Sequence, residues 1–281
     1  MTIPRGTLLR IIDGAPEEDL GRGDLTTEAC VPASAVARTC MVARQDLVFC
    51  GAEVVTQVYA RIDTCVAVRP RGTDGSRVSA GTVLLDIPGS ARSILMGERV
   101  ALNFLQRMSA VATMTRACVD ALPAGSTTRI TDTRKTTPGL RALERYAVRA
   151  GGGHNHREDL GAAVLIKDNH IAATGSVTRA IERARARAPH TAKITCEVDT
   201  LAQLDEALRA GADVVMLDNF DEQALASGVR AARGKALIEV SGGVTPDRVR
   251  ELAEAGADII SVGALTHSAG SVDIALDWAP T

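Results

Sequence analysis

The chain has 281 residues, 46% of them hydrophobic and 23% charged, which suffices for one large α/β domain or two ordinary ones and excludes disorder. A net charge of −2 removes the overall electrostatic footprint of a nucleic-acid binder, and 2% aromatic residues leave few platforms for stacking bases.

The N-terminal stretch "MTIPRGTLLRIIDGAPEEDL" carries acids early and lacks a long apolar core, so it does not read as a signal peptide. Residues 37–51 read as a strand pair or one long bent strand. "AEVVTQVYARI" reads as a helix, "TCVAVRPRG" as a strand, and "SRVSAGTVLLDIPGSAR" as part of a small Gly-punctuated sheet. A strong helix follows over about 93–122, where Ile94, Val100, Leu102, Leu105, Met108, Val111 and Met114 repeat near a 3.6 period until Pro123. The rhythm then changes to short β-rich runs: "TTRITDTR", "AAVLIKDNH", "KITCEV", "DVVMLDN", "ALIEVSGG" and "DIISVGALTH". Helical stretches such as "LAQLDEALRAGA" separate most of them, and the last four units recur at roughly 20-odd residues, as expected for consecutive βα units. A doubly wound sheet gives a similar rhythm; the barrel is preferred. No stretch approaches 18 uncharged apolar residues, so no spanning helix is expected, and six scattered cysteines without a Cys-x-x-Cys pair point to free thiols in a reducing, cytoplasmic setting.

Polar residues that a buried strand would not choose fall at the same end of each of these runs. They are Arg134 and Lys135, Lys167 and Asp168, Glu197, Asp218 and Asn219, Ser241-Gly242-Gly243, and Gly263. In a parallel barrel these carboxyl ends share one face, where active sites lie. A helix cap or surface ion pair explains any one of them; six on one face are harder to explain that way. Arg134, Lys135, His156, Arg157 and Lys167 form a set of cations suited to a polyanion. Glu197 and Asp218 are placed to hold Mg²⁺ together with phosphate oxygens. Ser241, Gly242 and Gly243, ahead of "VTPDRVREL", present backbone N–H groups to a phosphate, with Gly263 on the next strand. Together these suggest a phosphoribosyl donor and an acid acceptor.

In "RAGGGHNHRED" (149–159), two histidines are too few for a metal site, and an anion-binding loop opened by three glycines is the better account. The arginines of "RAIERARARAPH" read as a solvated face, and Cys196 as a buried strand thiol rather than a nucleophile.

"EDLGRGDLTT" (18–27), "GERVALNFLQRMSAVAT" (97–113), "DTRKTTPGLRALERYAVRAGGGHNHR" (132–157), "LIKDNHI" (165–171), "EVD" (197–199), "MLDNF" (216–220), "EVSGGV" (239–244) and "ISVGALTHS" (260–268) together resemble the quinolinate phosphoribosyltransferase family. The resemblance implies an α/β sandwich over 1–115, an incomplete TIM-like α/β barrel over 116–268, and a segment 269–281 that returns to the first domain. It implies transfer of phosphoribosyl from 5-phosphoribosyl 1-pyrophosphate to quinolinate with decarboxylation, in a homodimer that uses Mg²⁺ and binds neither nucleic acid nor membrane. Arg99 would reach a partner's site, where Arg134, His156, Arg157 and Lys167 hold the quinolinate carboxylates. Lys135, Glu197 and Asp218 would serve the sugar pyrophosphate, the two acids through the metal, and Ser241, Gly242, Gly243 and Gly263 would cradle the 5-phosphate. The sequence departs from the family at Ala110, usually Gly, and at Thr195, often acidic.

Three other readings stand beside this one, and a fourth fails. A molybdenum-transport-associated relative shares the "TRKT" loop, but is expected to lack the lysine of "LIKDNH". A nicotinate-specific transferase would not need so many cations. An inactive ligand-binding homologue has the same sequence features. A lipoyl-type carrier, faintly suggested by "RVSAGTVLLDIPGSA", lacks the lysine it would need at its hairpin tip.

Overall fold

The structure, a computed structural model, describes residues 3–278. The chain runs through α1 (Arg5–Leu20), α2 (Leu25–Cys30), β1 (Val36–Ala43), β2 (Leu47–Val48) and α3 (Ala52–Ile62). It continues through β3 (Arg69–Pro70), β4 (Arg77–Val78), β5 (Val83–Ser90) and the long α4 (Ala91–Asp120). Then come β6 (Arg129–Thr131), α5 (Arg141–Ala150), β7 (Val164–Ile166), α6 (Asp168–Thr174), α7 (Val177–Arg187) and β8 (Ile194–Val198). The last part holds α8 (Leu201–Arg209), β9 (Val214–Asp218), α9 (Glu222–Ala232), β10 (Leu237–Ser241), α10 (Pro246–Ala255), β11 (Ile259–Ser261), α11 (Ala264–His267) and β12 (Ile274–Trp278).

Two compact units result. The first takes the chain up to Arg116, then Thr136–Gly152, then everything described from Leu265 onward; the second takes Ala117–Lys135 and Gly153–Ala264.

In the first unit a four-stranded antiparallel sheet has the order β12-β1-β5-β3. β12 lies against β1 with Thr39 opposite Trp278, so the late segment completes a sheet begun more than two hundred residues earlier. Met41, Leu85 and Ile87 on the sheet, Ile94, Leu105 and Met108 on α4, and Val55, Val58 and Tyr59 on α3 are all buried. Residues 37–51 form two strands that do not pair with each other: β1 joins β5 and β12, while β2 joins β4. "TCVAVRPRG" is extended as a strand only at Arg69–Pro70, because Asp63 turns the chain by accepting from the Cys65 and Val66 amides.

One buried carboxylate ties the three pieces of this unit together. Glu144 on α5 is 1% exposed and accepts from the amide and hydroxyl of Thr137 at 3.0 and 2.8 Å. It also pairs with Arg107 of α4 at 2.7 Å, and that guanidinium donates to the carbonyls of Thr266 and Gly270. A buried ion pair is tolerated where every partner is hydrogen-bonded in this way.

The second unit is a six-stranded parallel sheet in the order β6-β11-β10-β9-β8-β7. Among the described residues the end strands β6 and β7 are not paired with each other; on the side away from β11, β6 makes a bridge from Thr131 to His154. This is the expected parallel α/β architecture, left open at one seam. Register sorts its side chains into two faces. Ile194, Cys196, Val198, Val215, Leu217, Ile238, Val240 and Ile260 share one parity and are all buried. That parity faces the helices, since a side chain at Gly228 of α9 would meet Leu217 at 3.2 Å and Leu204 of α8 at 3.3 Å. The opposite parity carries Glu197, Asp218, Glu239, Ser241, Ser261 and Thr131.

A contact in the first unit yields a stability prediction. A Cβ at Gly97 would lie 2.6 Å from the Tyr59 ring and 2.9 Å from Ile62. Overpacking costs about 1–3 kcal/mol and the helix-propensity gain offsets about 1, so Gly97→Ala should lower the urea midpoint at unchanged m-value. An unchanged midpoint would show that α3 and α4 do not approach so closely.

Candidate active site

The site is built on the polar face of the parallel sheet in the second unit. At the end of β6, Asp132 is fully buried and accepts from the Asn155 amide side chain at 2.7 Å and from the His156 main chain at 2.6 Å. The His154 amide donates to the Ile130 carbonyl at 2.7 Å. Residues 154–156 are therefore laid alongside β6, and a desolvated carboxylate is satisfied by N–H donors. This fixes the start of Arg157, whose guanidinium donates to the Ala163 carbonyl at 3.2 Å. The Arg157 pKa is held below the usual arginine range, first by burial and second by the neighbouring Arg134. Two guanidinium groups thus repel one another in a partly desolvated place, the electrostatic condition of an anion site. Lys135, next along, is exposed, and its amide donates to the Thr133 hydroxyl.

Across the sheet the Lys167 ammonium pairs with Glu197 at 2.5 Å. The Lys167 amide donates to Nδ1 of His170 at 2.9 Å, and the His170 amide returns to the Lys167 carbonyl. This reciprocal turn holds the lysine where β7 gives way to α6. Glu197, Met216 and Glu239 stand level on three adjacent strands. Glu239 is 2% exposed, accepts from the Ser261 hydroxyl and faces Nε2 of His156 at 3.3 Å. Nδ1 of the same ring accepts from the Arg157 amide at 2.8 Å. Both ring nitrogens of His156 thus face protein groups, Glu239 and the Arg157 main chain, where the sequence led one to expect a side chain open to a ligand.

Asp218 ends β9 and accepts from the side chain of Asn219, a non-glycine residue at φ 55°. Asn219 packs on Gly242 so closely that a Cβ there would stand 2.3 Å from its Oδ1, which requires glycine as does the φ of +94°. Beside them a cleft of about 190 Å³ is lined by Asn219, Phe220, Val240, Ser241, Gly242, Gly243, Arg248 and Leu252. Gly263 is not among its lining residues. Arg248 and Phe220 were not anticipated; the arginine's place three residues after Thr245 at the α10 N-terminus was the available signal.

Arg99 lies on α4 in the first unit and is exposed. The glycines of the "GGG" loop have a different reason from the one expected. A side chain at Gly151 would strike the Ala112 carbonyl at 2.5 Å and Thr115 at 2.6 Å, and one at Gly152 would meet Arg116 at 3.1 Å. Close packing on α4 demands Gly151, and a backbone φ of +92° demands Gly152. Among the described residues there is no group of three or more His, Cys, Asp or Glu that could hold a metal ion.

Family models describe both parts of the chain. Residues 24–109 match the quinolinate phosphoribosyl transferase N-terminal domain, and residues 111–277 match the C-terminal domain. The chain belongs to this family. It is 44% identical over 271 residues to the nicotinate-nucleotide pyrophosphorylase [carboxylating] of Mycobacterium leprae, covering 94% of each chain. It is 42% identical over 260 residues to the probable enzyme of that name from Bacillus subtilis, covering 92% of this chain and 89% of that one. Its fold overlays NadC from Streptococcus pyogenes with a TM-score of 0.93 at 38% identity, over the whole of both chains.

Three of the six thiols, Cys50, Cys118 and Cys196, are buried. Burial, and then Glu197, push the Cys196 thiol up to about 12; burial pushes Cys118 up to about 11. Only the thiolate reacts, and at about pH 8 these groups remain protonated. Ellman's reagent should therefore find the exposed Cys30 and Cys65 quickly, while Cys50, Cys118 and Cys196 stay silent until denaturant is added. Fast labelling of Cys196 in the native protein would contradict its placement.

Proposed function

We propose that this chain transfers phosphoribosyl from 5-phosphoribosyl 1-pyrophosphate to quinolinate and decarboxylates the product, giving nicotinate mononucleotide, CO₂ and pyrophosphate. Membership of the family over residues 24–277 supports the activity. The observation that carries it to particular residues is the paired, mutually repelling Arg134 and Arg157 on the same sheet rim as Lys167.

In this reading Arg134, Arg157 and Lys167 receive the two carboxylates of quinolinate, with Arg99 supplied by a second copy in a homodimer. Carboxylates prefer the fork of a guanidinium and the point charge of an ammonium, and relief of the Arg134–Arg157 repulsion adds to binding. Lys135 takes the pyrophosphate. Ser241, Gly242 and Gly243 take the 5-phosphate in their cleft, with Gly263 nearby in sequence order on the next strand. The pyridine nitrogen attacks C1 of the sugar, and pyrophosphate leaves with the bonding electron pair. Because the nucleophile belongs to the substrate, the protein's task is alignment and charge compensation. The carboxylate beside the now cationic ring nitrogen then departs as CO₂, its electron pair held next to that positive charge until a proton arrives from solvent.

Glu197 and Asp218 fit Mg²⁺ by chemistry: both are hard oxygen donors on the same face of adjacent strands, and two carboxylates plus phosphate oxygens suit this ion. The ion would neutralise charge growing on the pyrophosphate. Among the described residues no helix is long and apolar enough to cross a membrane, and all six cysteines are free, which supports the cytoplasm as the place of action.

Incubation with quinolinate, phosphoribosyl pyrophosphate and Mg²⁺ should release CO₂ and nicotinate mononucleotide together; no mononucleotide would refute the proposal. Lys167→Ala should raise the quinolinate KM by about tenfold or more, with a much smaller change for the sugar donor, since a hydrogen-bonded charge is lost from one site only. Equal losses would remove the lysine from the acid site. Mixing Arg99→Ala and Arg134→Ala proteins should restore about a quarter of wild-type activity, as half the dimers are hybrids with one intact site. No recovery would argue against a shared site.

A further inference from the structure

Glu239 has no role in the reading above, yet it is a carboxylate buried on the sheet. It sits in the middle of β10, 2% exposed, level with Met216 on one side and Ile259 on the other. An unpaired carboxylate there would be strongly destabilising, and leucine would serve packing better. Its charge is met by a chain of donors. The Ser261 hydroxyl donates to Glu239 and, its proton so used, accepts from the Thr131 hydroxyl at 2.9 Å. On its other side lies Nε2 of His156 at 3.3 Å.

The tautomer of His156 follows from its two neighbours. Nδ1 accepts from the Arg157 amide, so it bears no proton, and the ring's one N–H is on Nε2, directed at Glu239. Asp132 accepts from the His156 amide, one peptide earlier. The segment that delivers Arg157 is thus held at two points by two buried carboxylates.

We propose that Glu239 is a positioning residue for the acid acceptor: it holds His156 as the neutral Nε2–H tautomer, and the ring in turn fixes the Arg157 main chain so that its guanidinium meets a carboxylate. This rests on the quinolinate reading for its substrate, but the clamp itself can be tested without turnover.

Histidine-labelled protein would be followed by long-range ¹H–¹⁵N correlation, with His156 assigned from its loss in His156→Asn. The expected pattern is Nε2–H in the wild type and in Glu239→Gln, whose carbonyl accepts the same proton, and loss of that pattern in Glu239→Leu. In kinetics Glu239→Leu should raise the quinolinate KM about tenfold or more while the donor's KM stays within about twofold, and Glu239→Gln should stay within about threefold of wild type for both. An imidazolium or an Nδ1–H ring in the wild type would overturn the proposal. So would a folded Glu239→Leu protein whose losses fall equally on both substrates. If the leucine variant does not fold, the other two proteins decide: Nε2–H in both with the quinolinate KM retained supports the clamp, and any other result overturns it. A wild-type protein that shows the tautomer but makes no mononucleotide would refute the quinolinate reading and leave the clamp standing.

Discussion

Each strand of the parallel sheet must serve two media at once, and that constraint shapes everything else in the second unit. The side chains directed at α8 and α9 have to be apolar, and Cys196, Val215, Leu217, Val240 and Ile260 meet that demand almost without solvent contact. Any charge carried by a strand therefore falls on the other face. Charges so confined must find partners, because desolvation penalises each one left alone. Lys167 with Glu197, and Glu239 with Ser261 and His156, are the outcome. The chemistry of the rim is in this sense a by-product of how a parallel sheet is packed.

The pairs differ in kind, and the difference matters for function. Glu197 and Lys167 neutralise each other, and the lysine is still half accessible, so an arriving ligand can compete for either. Glu239 is sealed in and acts only through its neighbours. Arg134 and Arg157 differ again: burial first, and the like charge of Arg134 second, hold the Arg157 pKa down.

Much of this was legible in the sequence. The six strands of the second unit lie where apolar runs end in a polar residue, and their common order of charge and glycine pointed to one rim. Other features were hidden for definite physical reasons. α1 contains Gly14 and Pro16 and has only a faint apolar stripe, so nothing in residues 5–20 announced a helix. α5 follows the Pro138-Gly139 break directly, and its one informative residue, Glu144, looks like a surface acid until its partners Thr137 and Arg107 are seen. His156 was legible as a type but not as a tautomer, since a sequence does not show which ring nitrogen a backbone amide will occupy. Glu239 did leave a trace, since strand alternation turns an acid between Ile238 and Val240 to the opposite face, but the sequence does not show that Ser261 and His156 meet it there.

The first unit's construction from three separated stretches bears on how the protein is made. Its sheet lacks an edge until β12 emerges, and Arg107 waits on carbonyls at Thr266 and Gly270 that are translated long after it. The second unit, by contrast, is assembled almost wholly from strands adjacent in the message. On the ribosome the strands from β7 to β11 can pair as each one emerges, while β1 must wait for β12 from much later in the chain.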